Sequence, residues 1–552
     1  MLSGPTGRQR TNPSCTGAGN SMTARQVHFP EPIPRTGRGT ARTELGVTPL
    51  AHGAEEIGVV DLGSNSARLA IYAAAPMGPP WIVYESKELP RLATGIDERG
   101  RLTRPAQRGA LETLERFQKI LDDRGVRRRA AVATGVVRQA VNKSSFLSQV
   151  RQRTTLPLRV ISGEEEARYA YLGVRSSLTL GDDLVADLGG GTLQLLRIRS
   201  GNPVHVVSLP LGALRMHREF LPHDPPKRRE LQALRDYVDA TLEDGIGWAD
   251  PLPSRLVGVG GTFRATGHLL QASRHYPLVR VHGLEVGRRF LLSETARLSE
   301  LPSEERRNVP GLSADRSDII LAGLVVISRL LRRVTLKRFT VSACGIREGL
   351  AQELLGRPAP LSRRDLTLGS AQSMAWGFHL SFGHGGRVRQ MTLSLFDLLR
   401  SRHGLGDEER LALEVAALLH DSGTVISYPE HPKHSSYLVE NHPLYGLTHR
   451  ELLLASLAVA QHEGDETRED ELPGLRPVLG ADDLPSVHRL GAMLAIAEAL
   501  AEGRPRPQVS LRGPLLFVRL ARGIPPSPRS FQRAKRFFKR AFDMEVRLGI
   551  LR

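Results

Sequence analysis

The sequence predicts an α/β fold: two duplicated α/β domains facing each other across a cleft, followed by an all-helical domain. Three observations carry this reading. An apolar strand, an aspartate and a glycine-rich turn occur in that order twice, in IGVVDLGSNS (57–66) and VADLGGGT (185–192), about 126 residues apart. A repeated element at that distance indicates duplication of a whole unit, with one turn on each side of a gap. From residue 366 onward strand signals stop and apolar residues recur at helical spacing, and 552 residues exceed what one core can organise.

Taken in order, residues 1–52 are rich in Gly, Pro, Ser, Thr and Arg without hydrophobic periodicity, and are read as disordered. The first α/β domain is assigned to 53–184. It has strands at 57–62, 67–75 and 81–90, a helix at 104–123 with Ala110, Leu111, Leu114, Phe117, Ile120 and Leu121 at helical spacing, and a buried strand at 130–135. The second is assigned to 185–354, with strands at 193–199 and 203–209, a helix at 228–243, a third strand–glycine element at Leu256–Thr262 and an apolar helix after Arg316. A Pro- and Arg-containing connector at 355–366 separates these from a helical domain at 366–510 and a basic segment at 511–552. In that segment Phe531, Ala534, Phe538, Ala541 and Phe542 share one helical face, and Arg533, Lys535, Arg536, Lys539 and Arg540 cover the rest, either as a solvated face or as a rail for a polyanion.

The chemistry follows from the two turns. Glycines after a strand leave backbone N–H groups free to converge on a tetrahedral anion. Gly63, Ser64, Asn65 and Ser66 in one copy, and Gly189, Gly190, Gly191 and Thr192 in the other, are the candidate phosphate-binding residues. Asp61 and Asp187 end the two strands, where a carboxylate beside phosphate requires a bridging cation; Mg²⁺ suits one or two carboxylates plus phosphate oxygens. Arg138 is a candidate phosphate ligand, with an ion pair at a helix start as its alternative. The net charge of +18 favours polyanionic partners. Only Cys15 and Cys344 are present, so there is no disulfide framework, and a cytoplasmic location is expected; no membrane partner is expected either.

The two loops resemble the phosphate motifs of the sugar kinase, heat-shock protein 70 and actin superfamily, and DLGSNS resembles the exopolyphosphatase and guanosine pentaphosphate phosphatase (Ppx/GppA) family. ISGEEEAR (161–168) is similar to that family's SGxEEA motif. The resemblance implies two ribonuclease-H-like domains of the actin type, and it implies that Glu166 is the catalytic base. The activity implied is exopolyphosphatase: stepwise hydrolysis of the terminal phosphate of linear polyphosphate with Mg²⁺. The alternatives are hydrolysis of guanosine pentaphosphate (pppGpp) in the same pocket, and a non-catalytic regulator that binds a nucleotide or polyphosphate. No specific nucleic acid is expected as partner, and a homodimer is the expected assembly.

The helical domain resembles the HD domain of longer family members. His384, His420 and Asp421 match its metal-binding pattern, and Glu498 stands where an Asp belongs. The expectation from that departure is a retained scaffold without phosphodiesterase activity.

Overall fold

The computed structural model of the chain describes residues 54–247, 252–357, 362–464, 474–501, 507–520 and 527–550. The reading of 1–52 as disordered lies outside the described residues, as does Cys15.

Two sheets form the α/β part. The first holds β1 (Glu55–Leu62), β2 (Ala67–Ala74), β3 (Trp81–Glu88), β4 (Arg128–Ala133) and β5 (Leu158–Val160), in the order β3-β2-β1-β4-β5. The second holds β6 (Asp183–Leu188), β7 (Leu193–Arg199), β8 (Asn202–Leu209), β9 (Arg255–Val259), β10 (Glu285–Gly287) and β11 (Arg338–Val341), in the order β10-β11-β9-β6-β7-β8. Read from the β8 edge, the second sheet repeats the first: an antiparallel meander of three strands, then two parallel additions, with β10 as an extra antiparallel edge. The duplication inferred from two loops therefore extends to whole sheets. β1 and β6 are central and covered on both faces, which is why their sequences read as apolar runs rather than alternations.

Helices exchange between the two units, which corrects the boundaries drawn at 184 and 354. Helix Ile346–Leu355, assigned by sequence to the second unit, packs on the first sheet: Leu350 and Ala351 join Ile57, Val59, Tyr72 and Val132 in one core. Helix Gly163–Arg175 serves both sheets, placing Tyr169 in that core and Ala167, Tyr171 and Val174 against Val185 and Val257. The helices cross at glycines. A Cβ at Gly173 would run into the backbone of Gly345, and one at Gly349 into the backbone of Tyr169. Only residues without a side chain allow backbones this close.

The third unit is built from helices Arg363–Gly377, Phe382–Leu398, Asp407–Leu419, His431–Asn441, His449–Ala460 and Asp483–Leu500. It is not all-α. β12 (Gln508–Arg512), β13 (Leu515–Leu520) and β14 (Glu545–Ile550) make a small sheet, with helix Pro528–Phe542 between the last two strands. Leu516, Val518, Phe531, Phe537, Phe538 and Val546 share the core of the helical bundle. The C-terminal segment is thus part of this domain rather than a separate basic tail. Among the described residues, no helix is long and apolar enough to cross a membrane.

Candidate active site

The sheet register places the two aspartates at equivalent points. Asp61 pairs across β2 with Arg68 and across β4 with Val132, while Asp187 pairs across β7 with Gln194 and across β9 with Val259. Each following turn closes in the same way: Gly63 N–H donates to the Ser66 carbonyl at 3.0 Å, and Gly189 N–H to that of Thr192 at 3.0 Å. The turns face each other, since a Cβ built on Gly190 would sit 3.8 Å from Ser64 Cβ. Gly212 supports the second turn so closely that a Cβ there would meet the backbone of Gly190 and Gly191.

Between the turns lies a cavity of about 570 Å³. Its wall includes Gly63, Ser64, Asn65, Ser66, Gly189, Gly190, Gly191 and Thr192, together with Asp61, Asp187 and Glu166. The third glycine element also reaches it: Gly260, with φ near +99°, and Gly261 begin helix Gly261–Ser273 at the cavity wall.

Of the three carboxylates that open helix Gly163–Arg175, only Glu166 lines the cavity. Glu165 is consumed by the cap: its N–H donates to Ser162 Oγ at 3.0 Å, and its carboxylate accepts from Ser162 N–H at 2.8 Å. Glu164 is exposed. Glu166 is largely buried and accepts from Arg138 Nη1 at 3.0 Å. Burial raises its carboxyl above the usual carboxylate range, and Arg138 opposes this.

Arg138 corrects an expectation. It donates to Glu166 and to the Ile161 carbonyl (2.9 Å), and it does not line the cavity. The helical turn at 135–139 directs it toward the start of helix Gly163–Arg175, so the ion-pair alternative describes its position. Arginines that line the cavity come from elsewhere: Arg68 on β2, Arg264, Arg316 and Arg347, with Arg215 and Arg218 besides. Arg347 pairs with Glu85 at 2.6 Å, and Arg68 with the same carboxylate at 3.3 Å. Burial, then the charges of Arg68, Arg347 and Arg316, press Arg264 down to about 10. These arginines crowd one another, a crowding that a bound polyanion would relieve. Sequence reading gave Arg68, Arg264, Arg316 and Arg347 no phosphate-binding role, although Arg347 lies in VSACGIREG (341–349), a stretch similar to the family's serine…arginine-glutamate-glycine segment.

Beside these arginines the cavity also gathers negative charge: Asp61 feels Arg347 and Arg68, and Asp187 feels Arg264. Burial, then Glu166 and Asp61, push the Asp187 carboxyl up to about 7. Asp61 is raised mainly by burial, and its Oδ1 is buried without a hydrogen-bond partner. An orphaned carboxylate oxygen beside a second crowded carboxylate fits a divalent cation. Asp61, Asp187 and Glu166 do not form one of the tight ligand groups found among the described residues, so such a cation would need substrate oxygens as well.

The sequence profile of the Ppx/GppA phosphatase family matches residues 70–357. The chain belongs to this family. The family's domain III profile matches 367–510, the region read from sequence as HD-like. Among relatives of the chain, exopolyphosphatase 1 of Mycobacterium tuberculosis is 34% identical over 300 residues, covering 53% of this chain and 86% of that protein. The guanosine-5′-triphosphate,3′-diphosphate pyrophosphatase of Aeromonas salmonicida is 28% identical over 461 residues, covering 82% and 89%. The crystal structure of the Aquifex aeolicus Ppx/GppA family member superposes with a TM-score of 0.50 at 30% identity, covering 55% of this chain and 98% of that one. An exopolyphosphatase structure from Cytophaga hutchinsonii shares the fold, with a TM-score of 0.51 at 24% identity over 55% of this chain and 99% of that one. Both cover about the extent of the two α/β units.

The helical domain gathers the remaining candidates. His384 Nε2 and His420 Nε2 lie 3.1 and 3.0 Å from Glu498 Oε2, and 3.5 and 3.4 Å from Asp421 Oδ2. His431 and His462 join them. His442 does not: it is buried among Trp81 and Phe378, and burial lowers its imidazole to about 3.

Proposed function

We propose that this chain is an exopolyphosphatase that removes the terminal phosphate of linear inorganic polyphosphate. The observation that carries this reading is the lining of the cavity. It has paired N–H turns, the arginines Arg68, Arg264, Arg316 and Arg347, and among the described lining residues no aromatic ring on which a guanine could stack. In this reading the turns at 63–66 and 189–192 bind the terminal phosphate through backbone N–H groups. Arg68, Arg264, Arg316 and Arg347 take the phosphates behind it. Glu166 accepts a proton from the attacking water, and its raised pKa brings it closer to the operating pH of a general base. Arg138 keeps that carboxylate ionised and aimed. Asp61 and Asp187 would hold Mg²⁺ against the substrate oxygens, which offsets charge on the bridging oxygen when bound. The expected homodimer and cytoplasmic location belong to the same reading.

A second substrate, guanosine pentaphosphate, is favoured by one observation: the Aeromonas salmonicida pyrophosphatase matches 82% of the chain, whereas the Mycobacterium tuberculosis exopolyphosphatase matches 53%. Orthophosphate release from long-chain polyphosphate and from guanosine pentaphosphate, each with and without Mg²⁺, tests both. The first reading requires Mg²⁺-dependent release with polyphosphate as the better substrate by kcat/KM. A preference for the nucleotide reverses the order of the two, and release from neither refutes the enzyme.

A further inference from the structure

We infer that the helical domain positions one wall of the catalytic cavity, through His449 of that domain and His282 of the second α/β unit. The wall is the turn between β11 and helix Ile346–Leu355, where Ala343, Gly345, Arg347 and Glu348 line the cavity. This rests on the cavity being catalytic, as proposed above, with either substrate. His282 and His449 are positioning residues, since neither is among the described residues that line the cavity.

The stretch between helix Gly261–Ser273 and β10 docks the helical domain. Leu278 is buried in the core of the helical bundle, and Tyr276 packs against both that core and the core of the second sheet. Arg280 Nη2 donates to the Leu444 carbonyl at 2.8 Å. Gly283 N–H then donates to the Val341 carbonyl at 2.8 Å, which lays His282 beside the turn.

Ala343 N–H donates to His282 Nδ1 at 3.2 Å. A backbone N–H only donates, so Nδ1 bears the lone pair and Nε2 carries the hydrogen, which points to the Ser177 carbonyl at 3.2 Å. The carbonyl of His282 lies 3.0 Å from His449 Nε2. A carbonyl only accepts, so His449 carries its hydrogen on Nε2, and its Nδ1 accepts from Tyr276 Oη at 2.8 Å. One neutral tautomer of each ring satisfies every contact. Burial, then the charge of Arg280, hold the His282 imidazole down to about 3, and burial holds that of His449 at about 4, so both rings are uncharged near pH 7. The Tyr445 ring meets the His282 ring edge-on, with centroids 5.2 Å apart, and Tyr445 Oη lies 3.6 Å from Cys344 Sγ. The neighbouring N–H groups of the turn are satisfied within the α/β part: Ser342 donates to the Gly258 carbonyl at 2.8 Å, Cys344 to Ser342 Oγ at 3.2 Å and Gly345 to the Glu348 carboxylate at 2.7 Å. Ala343 differs from them, because the helical domain holds its acceptor in place.

The test pairs two isosteric changes in the full chain. In His282→Asn the side-chain oxygen takes the place of Nδ1 and keeps the bond from Ala343. In His282→Gln the amide nitrogen takes the place of Nε2 and keeps only the bond to Ser177. Hydrogen exchange in peptides covering 341–349 should be about tenfold faster in the Gln variant than in the Asn variant. Orthophosphate release from polyphosphate should lose about 10- to 100-fold in kcat/KM in the Gln variant and stay within a few-fold of wild type in the Asn variant, at matching melting temperatures. His449→Ala should act as His282→Gln does, and the double variant should lose no more than the larger single loss. Equal exchange and equal kcat/KM in the two His282 variants overturn the positioning role, as does a loss of kcat/KM that merely follows melting temperature. Losses that multiply in the double variant overturn the link to the helical domain. A wild-type chain that releases orthophosphate from neither substrate refutes the catalytic reading instead, and the exchange rates alone then decide whether the helical domain holds the turn.

Discussion

Asp187→Asn tests the electrostatics of the cleft. The Asp187 carboxyl is held at about 7, against 3.8 when unperturbed, by burial first and by Glu166 and Asp61 next. The group is buried, at 8% exposure, so solvent screens it little. A difference of about 3 units at 1.36 kcal/mol each sets a ceiling of about 4 kcal/mol. The sign follows from a raised folded-state pKa: the unfolded chain loses the proton first, so stability from this group is complete below pH 3.8, falls as pH rises toward 7, and stays low above. The neutral amide escapes that loss. In chelator, thermal melts of wild type and variant should diverge between pH 4 and 7, with the variant more stable above pH 7. For lobes of about 300 residues the ceiling corresponds to about 6 °C. Mg²⁺ should then raise the melting temperature of the wild type and not of the variant. A variant less stable than wild type in chelator at pH 8 would show that protein groups already satisfy this carboxylate, and the cation reading of Asp61 and Asp187 would fall.

Further expectations concern single residues. Arg138→Ala removes the charge that opposes burial at Glu166, so the acidic limb of the pH–rate profile should move to higher pH by roughly one to three units; an unmoved limb refutes the positioning role. Gly212→Ala pushes a methyl group into Gly190 and Gly191, and should cost about 100-fold or more in kcat/KM with melting of the helical domain unchanged. Gly349→Val overpacks the helix crossing against Tyr169 and should destabilise the α/β part by about 1–3 kcal/mol or more, measured in urea. Polyphosphate binding should weaken steeply with salt, while the binding of orthophosphate alone should change much less.

The parts of the site that sequence made legible are those bound to a short motif. Asp61 and Asp187 with their glycines announce themselves because a turn that offers bare N–H groups tolerates few residue types. Glu166 was separable from Glu164 and Glu165 only through the family motif; helix-capping physics alone favours all three, and the fold shows the cap using Glu165. Arg68, Arg264, Arg316 and Arg347 share no sequence signal because each arrives from a different element and only the closed fold brings them together at the cavity. The exchange of helices Gly163–Arg175 and Ile346–Leu355 was hidden for the same reason, although Gly173 and Gly349 mark the crossing. Arg138 shows the reverse error: a cation placed near a phosphate loop in sequence is turned by one helical turn to a carboxylate instead. In the C-terminal segment, the basic face drew attention away from Phe537, whose burial ties the segment to the bundle core.

The central claim is that the carboxylate between the paired turns performs the chemistry, while the turns and arginines perform the binding. Glu166→Gln keeps the shape of the side chain and removes the base. Orthophosphate release from long-chain polyphosphate in Mg²⁺ should fall by about 10²–10⁴-fold, with polymer binding by equilibrium titration nearly unchanged. Release that survives within a few-fold, or binding that collapses together with it, would contradict the account.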